Sequence, residues 1–212
     1  MNDTQTAPNN FAGTRELARH VLPYVSGKTL DLGAGTAKYK NIITEKSTEY
    51  VAFDLFPGEN IDKVGDILAT GFPDNSFNTV FCTQVFEHIP TPWLAVKEIK
   101  RLLSPGGIAV VTAPFLQAYH ADPHDYFRYT KEGMKSLFEK EDFEIVECGS
   151  YGRLFFVLFD FVKMSWFNPY EKPSGRSAIF MRWMIKLGHF LDGFARNRII
   201  YGNTYVVAKK IL

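Results

Sequence analysis

The sequence contains little of what marks extracellular, membrane-spanning or cysteine-rich proteins. Cys82 and Cys148 are its only cysteines, which excludes a disulfide framework or a cysteine-based zinc cluster. The longest unbroken apolar run, Leu154 to Phe159, is far too short to cross a bilayer. The first ten residues lack the basic start and apolar stretch of a secretory signal. We therefore expect a soluble, cytoplasmic protein whose thiols are reduced.

Charge of one sign is also lacking in the chain as a whole. The 24 Lys and Arg residues nearly balance the 23 Asp and Glu residues, so we expect no nucleic-acid partner. With 212 residues, 46% of them hydrophobic, the chain can bury the core of one large domain. The exception is the segment 150–202, which holds 13 of the 32 aromatic residues and carries a local net charge of +5.

Strand and helix patterns alternate along most of the chain. Apolar runs predict strands at 29–32, 50–54, 61–64, 79–82 and 108–112, and continuous runs of this kind suit parallel strands covered on both faces. Two more strands are predicted at 143–146 and 204–208. Helical spacing predicts helices at 15–22 and 94–103, the latter ended by Ser104-Pro105-Gly106-Gly107, and a third helix capped by Thr130. This alternation predicts a doubly wound, mostly parallel α/β sheet, whose ligands bind at the carboxyl ends of the strands.

The predicted organisation has four parts. We expect a flexible tail over 1–14, a core over 15–149, a helical insertion over 150–202 and the last strand of the core over 203–212. The insertion contains two apolar helical stretches, and three interpretations of it stay open. The first is a cover or dimer contact, and the second is a lid over an acceptor. The third is a peripheral membrane surface that combines basic residues with two tryptophans, namely Lys163, Arg176, Arg182, Lys186, Arg196, Arg198, Trp166 and Trp183.

A glycine-rich turn follows the first predicted strand, in Asp31-Leu32-Gly33-Ala34-Gly35. Glycines at such a turn let a ligand approach the backbone closely. Lys38 stands where a dinucleotide-binding turn has its third glycine, which disfavours a pyrophosphate ligand and a nicotinamide oxidoreductase. The carboxylate of Asp31 can instead accept a hydrogen bond from the ammonium group of a ligand.

Two further acids stand at the ends of the next predicted strands. Asp54 follows Gly35 by 19 residues and closes the second strand, where a carboxylate can hold both hydroxyls of a ribose. Asp66 stands in the loop after the third strand, beside the apolar Ile67. An acid there can accept from an adenine amino group. Three acids around one glycine turn predict a site for an adenosyl ligand.

These segments resemble the class I S-adenosylmethionine-dependent methyltransferases, and most of all their type-11, small-molecule branch. The resemblance covers about residues 28–148, and it includes 74–80, 87–89 and 103–107 as well as the acids described above. Ala37 stands where the family usually has a third glycine. The resemblance implies a seven-stranded Rossmann-like sheet and S-adenosylmethionine as cofactor. It implies cofactor contacts from Asp31, Gly33, Ala34, Gly35, Asp54, Leu55, Asp66, Ile67, Thr83 and Gln84.

Catalytic candidates cluster after the fifth strand, between Pro114 and Thr130. His120 and His124 are the candidate general bases. In the alternative interpretation the loop is only architectural, with Tyr126 and Phe127 as its anchors and Arg128 paired with Glu132. Some methyltransferases bind a divalent metal through Glu-x-x-Glu-His and a later histidine. In this chain the first of these positions is Gln84, a neutral and poorer ligand, so we predict no metal at Glu87 and His88.

The function predicted from the sequence is therefore methyl transfer from S-adenosylmethionine to a small or lipid-linked acceptor. A non-catalytic module that binds the same cofactor is the alternative, and an acceptor pocket closed by packed side chains would indicate it.

Overall fold

The strands form a seven-stranded sheet in a computed structural model that describes residue 11 and residues 13–166, 175–194 and 199–211. The strands are β1 (Gly27–Leu32), β2 (Ser47–Asp54), β3 (Lys63–Val64), β4 (Phe77–Thr83), β5 (Leu103–Pro114), β6 (Phe143–Tyr151) and β7 (Asn203–Lys210). The helices are α1 (Thr14–His20), α2 (Lys40–Ile43), α3 (Pro92–Leu102), α4 (Lys131–Glu139), α5 (Leu154–Trp166) and α6 (Gly175–Asp192). The predicted α/β class is confirmed.

The strand order is β3-β2-β1-β4-β5-β7-β6, and β7 is antiparallel to both of its neighbours. From β1 the chain winds outward through β2 and β3, and it then returns to the other side of β1 to form β4. The direction of winding therefore reverses between β1 and β4. In doubly wound sheets such a reversal opens a crevice beyond the carboxyl ends of the strands.

Burial on both faces of the sheet explains the continuous apolar runs. In β4, Val80 and Cys82 pack on one face with α3 and α4, whereas Phe81 packs on the other with α1 and α2. In β7, Val206 and Tyr205 divide between the two faces in the same way. A strand covered on both faces needs apolar residues at every position rather than at alternate ones.

Six of the seven strands are longer than the sequence predicts, and β5 and β6 are extended the most. The strand β5 begins at Leu103, which pairs with Phe77 of β4. The next pair is Thr79 with Ile108, so the residues 104–107 of β5 have no paired partner in β4. The Pro-Gly-Gly segment, predicted only to end helix α3, is thus an irregularity inside β5. The strand β6 continues to Tyr151, opposite Asn203, because the antiparallel partner β7 extends its hydrogen bonding beyond the apolar stretch.

Helices α5 and α6 lie between β6 and β7, where two apolar helices are expected. Asp192, at the end of α6, accepts hydrogen bonds from the amides of Phe155 and Phe156 in the first turn of α5, at 2.7 and 3.1 Å. Gly188 lets the helices approach, since a Cβ atom there would lie 2.6 Å from the ring of Phe159. Within the part of the chain that the structure describes, neither these helices nor any other are long and apolar enough to span a membrane.

Parts of the predicted tail and insertion lie outside the described residues. Residues 1–10 and 12 of the tail are among them, as are Arg196 and Arg198 of the proposed basic surface. The backbone of α5 and α6 is described at Trp166, Arg176 and Arg182, but their side chains are not.

Glu98 of helix α3 holds the loop that follows β3. Its Oε1 atom accepts hydrogen bonds from the amide and the hydroxyl of Thr70, at 3.1 and 2.6 Å. The guanidinium of Arg101 binds both carboxylate oxygens. Burial alone would raise the pKa of Glu98, but the hydrogen bonds from Arg101 and Thr70 outweigh it and lower the pKa. The loop that carries Asp66 and Ile67 is thereby tied to the helical layer.

We expect Glu98→Gln to lower the free energy of unfolding at pH 7 by about 1.5–3 kcal/mol, because it removes a charged hydrogen-bond acceptor. The folded-state pKa lies below the unfolded value, so this contribution is present above about pH 4.5 and is lost as the pH falls through the folded pKa. Urea unfolding of both proteins at pH 7 and below pH 4 measures the difference. Glu139→Gln, which affects only an exposed pair with Lys135, is the control. If the difference in the free energy of unfolding is the same at both pH values, the stabilising role of the ionised Glu98 carboxylate is contradicted.

Candidate functional site

A cavity of about 650 Å³ lies at the carboxyl ends of β1, β2 and β4, where the winding of the sheet reverses. Nine of the ten predicted cofactor residues line it, namely Gly33, Ala34, Gly35, Asp54, Leu55, Asp66, Ile67, Thr83 and Gln84. The volume lies in the range of pockets that hold small molecules. The topology therefore brings residues from four separate loops to one place.

The turn after β1 depends on two glycines in the left-handed region. Gly33 has φ +80, and a Cβ atom there would lie 2.3 Å from the side chain of Val85. The amides of Gly33 and Ala34 both donate to the carbonyl of Phe53, at 2.8 and 3.0 Å. Gly35 has φ +57, and a Cβ atom there would meet nothing within 4 Å, so open space borders its backbone.

Asp54 connects the first two loops of the cavity. One carboxylate oxygen accepts from the amide of Gly35 at 2.8 Å, and the other accepts from the amide of Phe56 at 3.0 Å. A carboxylate has about four lone-pair positions, so both oxygens can accept a further hydrogen bond from a ligand. Asp66 is exposed at the cavity, and its Oδ1 atom accepts from the amide of Leu68 at 2.8 Å.

Asp31 is placed differently from the other predicted residues. Its side chain is buried below the glycine turn, where it accepts a hydrogen bond of 2.5 Å from the hydroxyl of Tyr50. It does not line the cavity. Burial raises the pKa of Asp31 to about 6, against the opposing effect of the Tyr50 hydroxyl. The predicted contact of Asp31 with an ammonium group stays a prediction.

The segment after β5 forms the far end of the cavity, with Asp122, Pro123, His124 and Tyr126 in its wall. Arg128 binds both oxygens of Asp125, and it also donates to the carbonyls of Gln117 and Ala118. Its partner is thus Asp125 and not Glu132, because the turn brings the nearer acid under the guanidinium. Burial alone would raise the pKa of Asp125, but the hydrogen bonds from Arg128 lower it.

The two candidate bases occupy different positions. His124 is exposed and lines the cavity. His120 is half-buried behind the wall, and its Nε2 atom lies 3.8 Å from Oε1 of Glu87. The Glu87 carboxylate raises the pKa of His120. Neither the burial of Glu87 nor its proximity to His120 was predicted from the sequence. The available signal was the Asp125-x-x-Arg128 spacing, which is typical of the turn that brings His120 to Glu87.

The residues of this cavity fit S-adenosylmethionine. The cofactor is a sulfonium cation with an ammonium group, so acids suit it better than a phosphate-binding turn would. Asp54 has free acceptor capacity for ribose hydroxyls, and the open space at Gly35 allows a ligand to approach the backbone. Ile67 and Leu55 supply apolar surface for a planar base.

Comparisons with known proteins agree with this fit. Residues 30–111 match the family model described as a methyltransferase domain. An uncharacterised methyltransferase of Mycolicibacterium paratuberculosis is 31% identical over 101 residues, which cover 41% of this chain and 39% of that protein. The chain thus spans about two fifths of the length of the curated relatives compared with it.

Solved structures share the fold over nearly the whole chain. An S-adenosylmethionine-dependent methyltransferase from Archaeoglobus fulgidus superimposes with a TM-score of 0.61, covering 94% of this chain and 96% of its own at 19% identity. The cyclase SpnF superimposes with a TM-score of 0.64, covering 95% of this chain and 81% of its own at 17% identity. Residues 30–111 thus match a methyltransferase domain, and the sheet has the Rossmann-like fold of solved S-adenosylmethionine-dependent methyltransferases.

Proposed function

We propose that this protein transfers the methyl group of S-adenosylmethionine to a small or lipid-linked acceptor. One observation carries the proposal: Asp54, Asp66 and the open backbone at Gly35 meet in one cavity at the reversal point of the sheet. When bound, the cofactor supplies an electrophilic methyl group. The residues of this chain then supply binding and orientation, which account for most of the catalysis in such a displacement.

Each wall of the cavity has its own role in this proposal. Asp54 accepts from the ribose hydroxyls, Asp66 and Ile67 contact the adenine, and Thr83 and Gln84 close the site from the end of β4. The far wall, from Asp122 to Tyr126, borders the acceptor. That wall is formed by exposed residues of a loop and not by packed core side chains, which supports an enzyme over a non-catalytic module.

His124 is the proposed general base for an acceptor that must lose a proton. It lines the cavity, whereas the Nε2 atom of His120 is turned toward Glu87. His120 is the second proposed catalytic residue, and it lies beside Glu87 rather than in the lining of the cavity. A base is needed only where the acceptor atom carries a proton of high pKa.

Helices α5 and α6 are the proposed route for an apolar or amphiphilic acceptor. Several of their large apolar side chains are exposed, among them Ile179 at 69%, Trp183 at 60% and Phe190 at 64%. Lys186 adds an exposed positive charge on α6, whereas Lys163 of α5 pairs with Asp160 at 2.8 Å. An apolar surface with positive charge beside it suits peripheral contact with an anionic lipid surface.

The proposed cofactor site predicts tight binding of S-adenosylhomocysteine and far weaker binding of NAD. Asp54→Ala removes one or two hydrogen bonds to a charged group, and each is worth about 1.5–3 kcal/mol, or about 10- to 150-fold in affinity. Isothermal titration calorimetry of both proteins with both ligands measures the effect. Unchanged affinity in the variant, or a preference for NAD, would reject the site.

The proposed base predicts that His124→Ala lowers turnover by about 100-fold or more while S-adenosylhomocysteine binds as before. Turnover is measured as conversion of S-adenosylmethionine to S-adenosylhomocysteine with a panel of primary amines, phenols, carboxylates and anionic lipids. Tyr119→Ala, in the same loop and 72% exposed, is the matched control and retains activity. Full activity in His124→Ala with a hydroxyl acceptor would contradict the assignment.

The proposed lipid contact predicts binding to anionic vesicles that weakens with salt, because each basic residue near the surface contributes about 1 kcal/mol and salt screens it. Trp183→Glu reduces sedimentation with the vesicles. Trp93→Glu, at a tryptophan on α3 that is 48% exposed, leaves it unchanged. Equal, negligible binding to neutral and anionic vesicles would limit the acceptor to soluble molecules.

A further inference from the structure

Glu87 presents a buried carboxylate that receives no hydrogen bond in the described part of the chain, and the imidazoles of His88 and His120 lie within 4 Å of it. Its side chain is 0% exposed. Removing an ionised carboxylate from water is costly unless a cation or hydrogen-bond donors compensate. The guanidinium of Arg128, the cation of the neighbouring loop, directs its hydrogen bonds to Asp125 and to backbone carbonyls instead.

Two histidines face this carboxylate with the same ring atom. The Nε2 atoms of His88 and His120 lie 3.6 and 3.8 Å from Oε1 of Glu87. Each Nδ1 atom lies against a backbone carbonyl, that of His124 at 2.5 Å for His88 and that of Ala118 at 3.1 Å for His120. Because a carbonyl only accepts, Nδ1 carries the proton in both rings. In the neutral imidazole, Nε2 then has a free lone pair.

Three electron-pair donors therefore converge on one point. Backbone carbonyls that receive the Nδ1 proton are also the usual partners that orient metal-binding histidines. The ligand atoms of Glu87, His88 and His120 all lie within 4.8 Å of one another. Zinc ligands at about 2.0–2.1 Å from the metal are separated by about 3.3 Å in a tetrahedron, so small side-chain shifts close the site.

We propose that Glu87, His88 and His120 bind a divalent transition-metal ion such as Zn²⁺. Two imidazoles and one carboxylate are a donor set that suits zinc and its neighbours in the first transition row. The sequence disfavoured a metal because Gln84 is a poor ligand. In the structure the Gln84 amide donates to Thr112 and Tyr151, and the cluster forms without it.

The cluster lies beside the cavity, so an ion bound there would be close to the acceptor. His88 belongs to the cluster and also lines the cavity, near the wall assigned to the acceptor. An ion there would polarise an acceptor oxygen as a Lewis acid. This role rests on the proposed function, whereas binding of the ion does not.

The test is calorimetric titration of the chelator-treated chain of 212 residues with Zn²⁺ and with Co²⁺, in the absence of cofactor. We expect saturable binding of one ion per chain and a visible absorption spectrum for bound Co²⁺. Glu87→Gln and His120→Ala each weaken binding by about 100-fold or more, since even residues that only support ligands cost about 10- to 100-fold. His124→Ala is the matched control and retains affinity, because His124 contributes only its backbone carbonyl.

Two results would overturn the proposal: no saturable binding of either ion to the wild-type chain, or equal affinity in the wild type and in a folded Glu87→Gln or His120→Ala variant. Circular dichroism establishes folding. If Glu87→Gln is unfolded, the metal affinity of the His120→Ala variant tests the proposal instead, because His120 is only half-buried. Titration with S-adenosylhomocysteine is performed separately, so loss of the cofactor site and loss of the metal site are distinguished.

Discussion

The close approach of Gly33 to the end of β4 is the constraint on which the cofactor cavity depends. A side chain at this position would collide with Val85, and the backbone has a φ of +80. Because glycine removes both obstacles, the chain turns immediately after β1 and places two amides on the carbonyl of Phe53. The amide of Gly35 then reaches Asp54. The ends of β1, β2 and β4 are thereby held close to one another by contacts within the chain.

The far wall of the cavity depends on a different interaction, the pairing of Arg128 with Asp125. The same carboxylate accepts from the amide of His120 at 2.9 Å, so the pair also positions that histidine. Tyr126 and Tyr129 attach the loop to the core: the amide of Tyr126 donates to the carbonyl of Glu87, and the Tyr129 hydroxyl donates to that of Phe86. The loop is therefore held against the segment that follows β4, and this brings His120 to Glu87.

These two arrangements divide the cavity into two halves. The first half is built on backbone geometry and acids at strand ends. The second half is built on side-chain pairs within one loop, and α5 and α6 add an exposed apolar surface. Since fold neighbours include a protein named as a cyclase, the fold alone does not determine the reaction.

Local sequence alone determined the sheet, the glycine turn and the acids beside it. Continuous apolar runs and regular turns are local signals, and parallel strands necessarily bring Asp54 and Gly35 to the same edge. The partner of Arg128, the extension of β6 to Tyr151 and the burial of the Glu87 carboxylate were decided only in the tertiary structure. Each of these depends on which groups from distant segments become neighbours, and on which of them are removed from water. Spacing along the chain carries no such information, because burial and lone-pair direction arise only once the layers pack.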